Sequence, residues 1–521
     1  MKKRFFATTL ATALVAGGMM NTFAESQYSD SYPLEGAEGK SVTYWTNSNA
    51  VQSNYSDYTK SPFHTKLAEN VGVDIQFEFP PEGSDGDTAY YLMLTEDTLP
   101  DIILYQFPDA QQLLDEGTII PLNDYIDEWA PNLKAYLDAN PDIDKAIRTD
   151  DGIIYMFPWT RESTWLCTFR GIAVRQDWLD ECGLDMPKTL DDLDKIAHAF
   201  KEKYGAYFST VVDWLYDGGI STAFNTWEEF YQDDDQKACY GPSNEGWREY
   251  MEFMNYWYDE GILDPDLFSQ DATTLKTAAL NDKVGIAYTS GGTINAWMNA
   301  VEAGDAATST NSWVGVLNPV KNEGDITPLS QMDMPITGRG AAISSDCEDI
   351  ELAMRVLDYA YSEEGYMYYN FGTEGETYTL DEEGKPVYTD LIMKDPDGIN
   401  NALDKYIGTQ WGTAGIQAVE MYKQKNAPIV SECVDTWTTN TTHEKHKFPN
   451  VSPTVSELNE TASMEDALST CMKEWRAAFI TGEKDASDDV VWQEYLDELE
   501  NCGLSRILEV KQAQLERYNA R

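Results

Sequence analysis

The stretch GIAVRQDWLDECGLDMPKTLDDLDKIAHAF, residues 171–200, decides the fold. Its first apolar run, residues 172–174, predicts a buried strand. A helical turn follows and ends at Gly183, as is typical of helix C-termini. A second helix opens at Thr189, which has capping-box spacing to Asp192. The apolar residues that recur at helical spacing in it, and so predict one buried face, are Leu190, Leu193, Ile196, Ala197 and Phe200. The stretch therefore predicts a strand–helix step of an α/β protein.

The chain before this stretch shows a strand–helix–strand order. Residues 41–45 and 102–105 predict buried strands, and Ser61-Pro62 open a helix. Residues 73–79 alternate apolar and polar side chains, which predicts a further strand. This order implies a parallel sheet with right-handed crossovers, in which ligands bind beyond the carboxyl ends of the strands. The candidate ligand residues at those ends are Trp45, Asn47 and Tyr105.

The order of residues in several segments resembles one protein family. The segments are Arg-x-Asp-Trp-Leu at 175–179, Pro-x-Thr-x-x-Asp-Leu at 187–193, Leu-Pro-Asp-Ile-Ile at 99–103, Phe-Gly-Thr-Glu-Gly-Glu-Thr-Tyr at 371–378 and Phe-Ile-Thr-Gly-Glu at 479–483. They resemble the extracellular solute-binding proteins, family 1, of carbohydrate ABC importers, in the LipO-like branch. The resemblance covers nearly all of the chain that follows the N-terminal apolar segment.

The resemblance implies an α/β protein of the type II periplasmic-binding fold, with two lobes around a ligand cleft. The chain of 521 residues is too long for one core, which agrees with two lobes. We expect a flexible linker over residues 25–39 and two or three crossover segments, with hinges near residues 168–172, 333–342 and 445–455. The first lobe is predicted to hold residues 40–168 and 342–445, and the second lobe residues 172–333 and 455–521.

Aromatic side chains that follow predicted strands, together with a few polar residues beside them, are the candidate sugar-binding residues. Trp and Tyr have an apolar ring face and a polar edge, which suits the two-sided surface of a sugar. Besides the three residues above, the candidates are Trp159, Arg161, Trp165, Trp214, Tyr288, Trp297, Arg339, Trp411 and Trp437. The rings would stack on the sugar, whereas Asn47, Arg161 and Arg339 would donate hydrogen bonds. The two arginines leave a uronic-acid ligand open.

The N-terminus predicts an exported protein. Lys2, Lys3 and Arg4 precede a short apolar run, and Ala24 ends a cleavage-site pattern, so residues 1–24 read as a signal peptide. The family usually carries a lipid-modified Cys after that run, but the first Cys here is Cys167. We therefore expect an extracellular or cell-envelope protein without a lipobox anchor.

The net charge of −53 limits the partners. Such a field repels phosphate backbones, so we expect no nucleic acid partner. The expected partners are a carbohydrate, predicted to be an oligosaccharide, and the ABC permease subunits in the membrane, and the protein is expected to be a monomer. The seven cysteines lack CxxC spacing, which favours buried free thiols over disulfides.

Other functions are weighed against the receptor. A secreted glycosidase would need paired carboxylates in an aromatic cleft, and a binding protein for a non-sugar solute such as a peptide would share the two-lobe fold. No G-x-S-x-G elbow or HExxH helix is present, since His443 and His446 are three apart. Some relatives carry a calcium loop after the opening helix of the second lobe, but residues 203–207 here lack acidic ligands. The sequence predicts no catalytic residue, cofactor or metal site.

Overall fold

The computed structural model describes residues 26–46, 60–80, 84–107, 110–304, 311–451 and 453–521. The predicted signal peptide and Asn47 lie outside the described residues. Trp411 is described by its backbone alone.

The strands, numbered in chain order, form two main sheets and two hairpins. Their bounds are β1 (Ser41–Thr46), β2 (Asp74–Glu78), β3 (Ile102–Gln106), β4 (Phe157–Arg161), β5 (Arg170–Arg175), β6 (Tyr207–Thr210), β7 (Phe230–Gln232), β8 (Ala238–Tyr240), β9 (Val284–Ser290), β10 (Trp313–Gly315), β11 (Ile336–Ile343), β12 (Tyr378–Leu380), β13 (Pro386–Tyr388) and β14 (Gly415–Gln417).

The α-helices surround these sheets and close the chain. Their bounds are α1 (Pro62–Val71), α2 (Gly86–Met93), α3 (Ala110–Asp115), α4 (Asn123–Trp129), α5 (Pro131–Ala139), α6 (Pro141–Ile147), α7 (Gln176–Cys182), α8 (Leu190–Tyr204), α9 (Glu245–Asp259), α10 (Ala272–Leu280), α11 (Gly291–Glu302), α12 (Ile350–Asp358), α13 (Glu363–Phe371), α14 (Asp390–Met393), α15 (Ile399–Tyr406), α16 (Val419–Lys425), α17 (Pro428–Trp437), α18 (His443–His446), α19 (Val455–Ile480), α20 (Asp489–Asn501) and α21 (Leu504–Ala520).

The first lobe is built on a six-stranded mixed sheet in the order β14-β4-β11-β3-β1-β2. β1 runs parallel to β2 and β3, whereas β11 runs antiparallel to both β3 and β4. The alternating stretch at residues 73–79 forms β2 at the edge of this sheet, where only one of its faces is covered. Helices on both faces bury one continuous apolar core.

The second lobe is built on a four-stranded sheet in the order β10-β5-β9-β6. The deciding stretch supplies β5 and α8, as predicted. Thr189 Oγ1 accepts a hydrogen bond from the backbone N–H of Asp192 over 3.2 Å, and the five predicted apolar residues of α8 are buried. Gly205, with φ of 65°, then turns the chain directly into β6. Two apolar clusters cover the two faces of this sheet.

Within the described residues the chain passes between the lobes three times. It leaves the first lobe after β4 and enters β5, returns between β10 and β11, and leaves again between α16 and α17. β11 lies wholly in the first-lobe sheet, so the second crossover ends at about Ile336. The third crossover falls near residue 426, earlier than the predicted 445–455, because α17 packs on β5, β10 and α11 of the second lobe.

Residues 26–39 pack on the first lobe, which corrects the flexible linker predicted for this range. Tyr28 and Leu34 are buried in the first-lobe core. Ser26 Oγ donates to Glu351 Oε1 over 2.6 Å, and Asp30 pairs with Arg355 at 2.8 Å. One hydrogen bond from a hydroxyl to a carboxylate and one ion pair, both to buried residues of α12, therefore hold this segment in place.

The last helix of the second lobe also touches the first lobe. Arg517 on α21 pairs with Asp150, which lies between α6 and β4. Arg521 pairs with the same carboxylate at 2.5 Å and donates to the carbonyl of Arg148. We call Asp150, Arg517 and Arg521 the C-terminal contact. The side chain of Arg521 is 2% exposed, so its charge depends on these partners.

The seven cysteines are free in the structure. Cys167, Cys347 and Cys433 are buried, as expected for structural thiols, while the other four are partly exposed. No helix in the described part of the chain has the length and apolar character needed to cross a bilayer.

Candidate functional site

The candidate site lies where the carboxyl edges of the two sheets face each other. β4 and β14 run parallel and end at Arg161 and Gln417, and the antiparallel β11 begins at the same edge. In the second lobe, β6 and β9 end where β5 begins at Arg170. Because the chain leaves one edge at Arg161 and reaches the other at Arg170, the first two crossovers form the floor between the edges.

Trp159, Arg161 and Arg339 form the wall contributed by the first lobe. Trp159 and Arg161 are two residues apart on β4, so their side chains share one face. The guanidinium of Arg161 lies 5.2 Å from the Trp159 ring centroid, pairs with Asp333 at 3.2 Å and donates to the carbonyl of Met334 over 3.0 Å. Arg339 Nε donates to the carbonyl of Gly412 over 2.9 Å.

The indole N–H of Trp159 has no acceptor among the described residues, although the atom is buried. Buried N–H groups are almost always paired in folded proteins. The core rings of Trp247, Trp297 and Trp313 also leave this group unpaired among the described residues, so the unpaired N–H does not distinguish Trp159 from a core ring.

A stacked arginine forms the centre of the wall contributed by the second lobe. The guanidinium of Arg170 lies between the rings of Phe169 and Trp214, at 4.8 and 5.1 Å from their centroids, and pairs with Asp217. Tyr288, a predicted ligand residue, is 1% exposed in the second-lobe core behind this wall and donates its hydroxyl to the same carboxylate over 2.5 Å. Burial raises the pKa of Asp217, and the positive charge of Arg170 opposes that rise. The second-lobe wall therefore presents aromatic rings next to the charged hydrogen-bonding atoms of Arg170 and Asp217.

Glu229 and Lys447 extend this wall. Lys447 lies 5.3 Å from the ring centroid of Trp227 and donates to the carbonyl of Met332. Glu229 is exposed to solvent, yet the surrounding protein displaces enough water to raise its pKa, while Lys447 opposes the rise. An accessible carboxylate with this much protein around it is typical of a side chain that faces a cleft.

A cavity of about 490 Å³ opens beside the crossovers at this junction. It is lined by both lobes and by the second crossover, and it includes Thr164, Gln232, Asp333, Met334 and Lys447. Small-molecule sites typically occupy roughly 300–1,000 Å³. The cavity shares Asp333 and Lys447 with the groups described above, so it adjoins the walls, and it has the size and the mixed lining that a small polar ligand requires.

Several predicted ligand residues do not reach this junction. Trp297 and Trp437 are each 1% exposed inside the second-lobe core, where Trp437 Nε1 donates to the carbonyl of Ile172. Trp45 and Tyr105 lie near the carboxyl ends of β1 and β3, but their rings pack on Tyr90 within the first-lobe core. These four rings complete the cores that support the walls, because apolar packing outweighs their polar edges.

Trp165 lies at the first crossover rather than deep in the site. Its indole N–H donates to Asp435 over 2.7 Å, and its ring meets Tyr422 edge-on at 5.9 Å. Lys423 lies 4.9 Å from the same ring. Trp165 thus joins the first crossover to the third, which places it at the rim.

Asp217, Glu229, Asp333, Arg170 and Lys447 were not among the residues predicted from the sequence. The sequence held a weak indication of two of them: Arg170 is the first residue of β5, and Asp217 lies in the loop that follows the end of β6. Arg161, the last residue of β4, was predicted, whereas Arg170, the first residue of β5, was not. Counting every charged residue at a strand end or in the loop after it as a site candidate would have included Arg170 and Asp217.

The family model for bacterial extracellular solute-binding proteins matches residues 52–367. This chain belongs to that family. Members of the family are extracellular binding proteins, so this solute-binding protein acts outside the membrane. Among the described residues, no group of three or more His, Cys, Asp and Glu side chains is arranged to hold a metal ion.

Characterised relatives align with this solute-binding protein along its whole length. The fructooligosaccharide ABC transporter substrate-binding protein FusA of Streptococcus pneumoniae is 25% identical, with 100% of this chain and 98% of FusA aligned. Lipoprotein LipO of Bacillus subtilis is 23% identical over 94% of this chain and 95% of its own.

Solved structures of solute-binding proteins share the fold. FusA in complex with kestose matches with a TM-score of 0.68 and 23% identity over 92% of this chain and 100% of that one. Alginate-binding protein AlgQ2 without calcium matches with a TM-score of 0.66 and 22% identity, covering 92% and 98%. These matches confirm the predicted two-lobe binding-protein fold.

Proposed function

We propose that this protein is the substrate-binding receptor of an ABC importer and that it captures an oligosaccharide. The observation that carries the proposal is the pairing, across one junction, of ring faces with charged hydrogen-bonding groups: Trp159 with Arg161 on one wall and Trp214 with Arg170 and Asp217 on the other. Sugars present C–H faces and hydroxyl rims, which such pairs contact together. The fructooligosaccharide receptor FusA, aligned over the full chain, supports the same ligand class.

Ligand binding would favour a closed arrangement of the lobes, because only that arrangement contacts the sugar from both walls. The closed receptor would then dock on the permease subunits as a monomer. Residues 1–24 would direct export.

A thermal-shift screen with neutral and acidic oligosaccharides and with short peptides tests the proposal. A ligand that binds only the native state raises the melting temperature in proportion to ln(1 + [L]/Kd). We expect oligosaccharides to raise it and peptides to leave it unchanged. A rise with peptides alone would assign the protein to a different solute. Chromatography of the recovered sugar would show shortened products if the protein were a glycosidase.

The variant Trp214→Ala locates the site in the same assay. Loss of a stacking ring on the second-lobe wall is expected to weaken sugar binding by about tenfold, or about 1.4 kcal/mol. The matched control is Trp129→Ala, since Trp129 is a half-buried ring of the first lobe that stacks on Tyr125 at 5.0 Å, away from the junction. Equal effects of the two variants would place the ligand elsewhere.

A further inference from the structure

We propose that the site selects neutral oligosaccharides and rejects sugars that carry a carboxylate. This inference rests on the proposed function and refines it to a ligand class. It follows from how the charges at the junction are already paired, from the carboxylates that surround them, and from the cations that the rest of the chain can supply.

The arginines of the two walls already have carboxylate partners. Arg161 pairs with Asp333 at 3.2 Å, and Arg170 pairs with Asp217. A planar guanidinium binds a ligand carboxylate best through two parallel N–H donors. In Arg161 both terminal nitrogens are engaged, one by Asp333 and the other by the carbonyl of Met334. Neither arginine therefore presents an uncompensated charge to an acidic sugar.

The carboxylates at the junction lie around the first two crossovers. The backbone N–H of Asp333 donates to the carbonyl of Cys167 over 2.8 Å, and the backbone N–H of Arg170, the partner of Asp217, donates to Gln331 Oε1 over 3.1 Å. After burial, the negative charges of Asp217 and Asp333 further raise the pKa of Glu229, and Asp333 raises that of Asp217. A ligand carboxylate would be a fourth negative charge in a partly dehydrated space. Like charges in such a space repel strongly because little water screens them. A neutral hydroxyl would instead donate a hydrogen bond to any of the three.

Three lysines line the cavity at the junction. Lys447 faces Glu229, whose raised pKa it opposes, and donates to the carbonyl of Met332. Lys145 lies 4.6 Å from the ring centroid of Tyr518, and Lys445 is exposed to solvent.

The other cations near the junction are poorly placed to offset the repulsion. Arg339 donates to the Gly412 carbonyl, and Lys423 is exposed at the rim over Trp165. Lys425 donates to Gln410 over 3.0 Å, and burial lowers its pKa to about 8. The segments outside the described part of the folded chain, residues 47–59, 81–83, 108–109, 305–310 and 452, contain no Lys, Arg or His.

The net charge of −53 adds a general barrier to anions. That barrier acts at long range and weakens as salt increases. The local carboxylates act at contact distance and are screened far less. A preference caused by the site itself therefore persists at high salt, which separates it from the effect of the whole molecule.

Calorimetric titration with matched probes tests the inference. The neutral probes are tri- and tetrasaccharides of the gluco-, manno-, galacto- and fructo-series, and the acidic probes are oligogalacturonates and oligomannuronates of the same lengths. We expect at least one neutral probe to bind at least tenfold more tightly than any acidic probe in both 50 mM and 500 mM NaCl. Tighter binding of an acidic probe would overturn this inference and leave the receptor function standing. Failure of every probe to bind would overturn both.

The variant Asp333→Asn tests the charge basis directly. Removing this carboxylate leaves Arg161 free to bind a uronate, so affinity for the acidic probes is expected to rise at least fivefold while affinity for the neutral probes does not rise. The control is Glu323→Gln, which removes the same charge from an exposed pair with Lys188. No change in Asp333→Asn, or an equal change in Glu323→Gln, would refute the charge basis. Glu229→Gln repeats the measurement at an exposed side chain if Asp333→Asn does not fold.

Discussion

The charged amine of Lys425 lowers the stability of the folded protein, because it is largely removed from water. Lys425 is the last residue of the first-lobe helix α16, donates to Gln410 and has no carboxylate within ion-pair distance in the described structure. Burial lowers the pKa of its amine from 10.5 to about 8, and Asp404 offsets this only in part. The unfolded chain keeps its proton to higher pH than the folded chain, so stability rises with pH between about 8 and 10.5.

The variant Lys425→Met is therefore expected to stabilise the protein at pH 7 by about 2 kcal/mol, after allowance for water access and for the lost hydrogen bond. The gain should shrink when urea unfolding is repeated at pH 9.5. Lys423→Met, at the exposed neighbour, is the control and should show neither the gain nor the pH dependence. A gain of equal size at both pH values would mean that packing, and not the proton, is responsible.

At the scale of single residues, the sequence predicted that Trp and Arg side chains would lie at the junction, but it did not separate the tryptophans there from those in the cores. Trp159, Arg161 and Trp214 reach the junction, whereas Trp45, Trp297 and Trp437 complete the cores behind it. A ring that closes a core and a ring that lines a cleft have the same local pattern. What separates them is the packing of distant segments, such as α17 on β5, which periodicity does not contain.

At the scale of elements, β5 and α17 touch so closely that only glycine fits between them. A Cβ atom at Gly171 would lie 2.3 Å from the indole nitrogen of Trp437. The identity of residue 171 as glycine is thus required by a helix that lies more than 250 positions later in the chain. The contact explains why α17 belongs to the second lobe.

Gly171→Ala is expected to destabilise the protein by about 2–3 kcal/mol, because an added methyl group in a filled core forces side chains and backbone apart. The measurement is the midpoint of urea unfolding followed by tryptophan fluorescence. Gly292→Ala on α11 is the control, since a Cβ there meets no atom closer than 3.9 Å. A Gly171→Ala variant as stable as that control would show that α17 can move away.

Elements with strong local signals were predicted well. Thr189 caps α8 as its spacing indicates, and the alternating residues 73–79 give β2. The third crossover was placed some twenty residues late because α17 begins at Pro428 with an ordinary helical pattern that favours neither lobe. Its partner strands, β5 and β10, are distant in sequence, so local reasoning had no basis for the choice.

At the scale of the whole molecule, the C-terminal contact ties the two lobes together through side chains in addition to the crossovers. Asp150 of the first lobe holds both Arg517 and Arg521 of α21. Asp150→Asn leaves the buried guanidinium of Arg521 without its carboxylate, which is expected to cost about 3 kcal/mol. Differential scanning calorimetry should show the lobes unfolding less cooperatively.

The matched control is Arg506→Gln, which breaks an exposed pair with Glu460 between α21 and α19 inside the helical region itself. It should lower the transition temperature far less, and its effect should vanish in 500 mM NaCl because exposed pairs are screened. If Asp150→Asn behaved in the same way, the C-terminal contact would be a surface pair with no influence on how the lobes move.

Because the chain crosses between the lobes three times, each lobe is built from segments that are synthesised at different times. The core of the second lobe, begun by β5, is completed by Phe479 and Tyr495 near the end of the chain. A nascent polypeptide cannot bury that surface before its final helices emerge, since long-range contacts must wait for both partners. The second lobe therefore cannot reach its folded state ahead of the C-terminal helices, whereas all the strands of the first-lobe sheet have been made once β14 is complete.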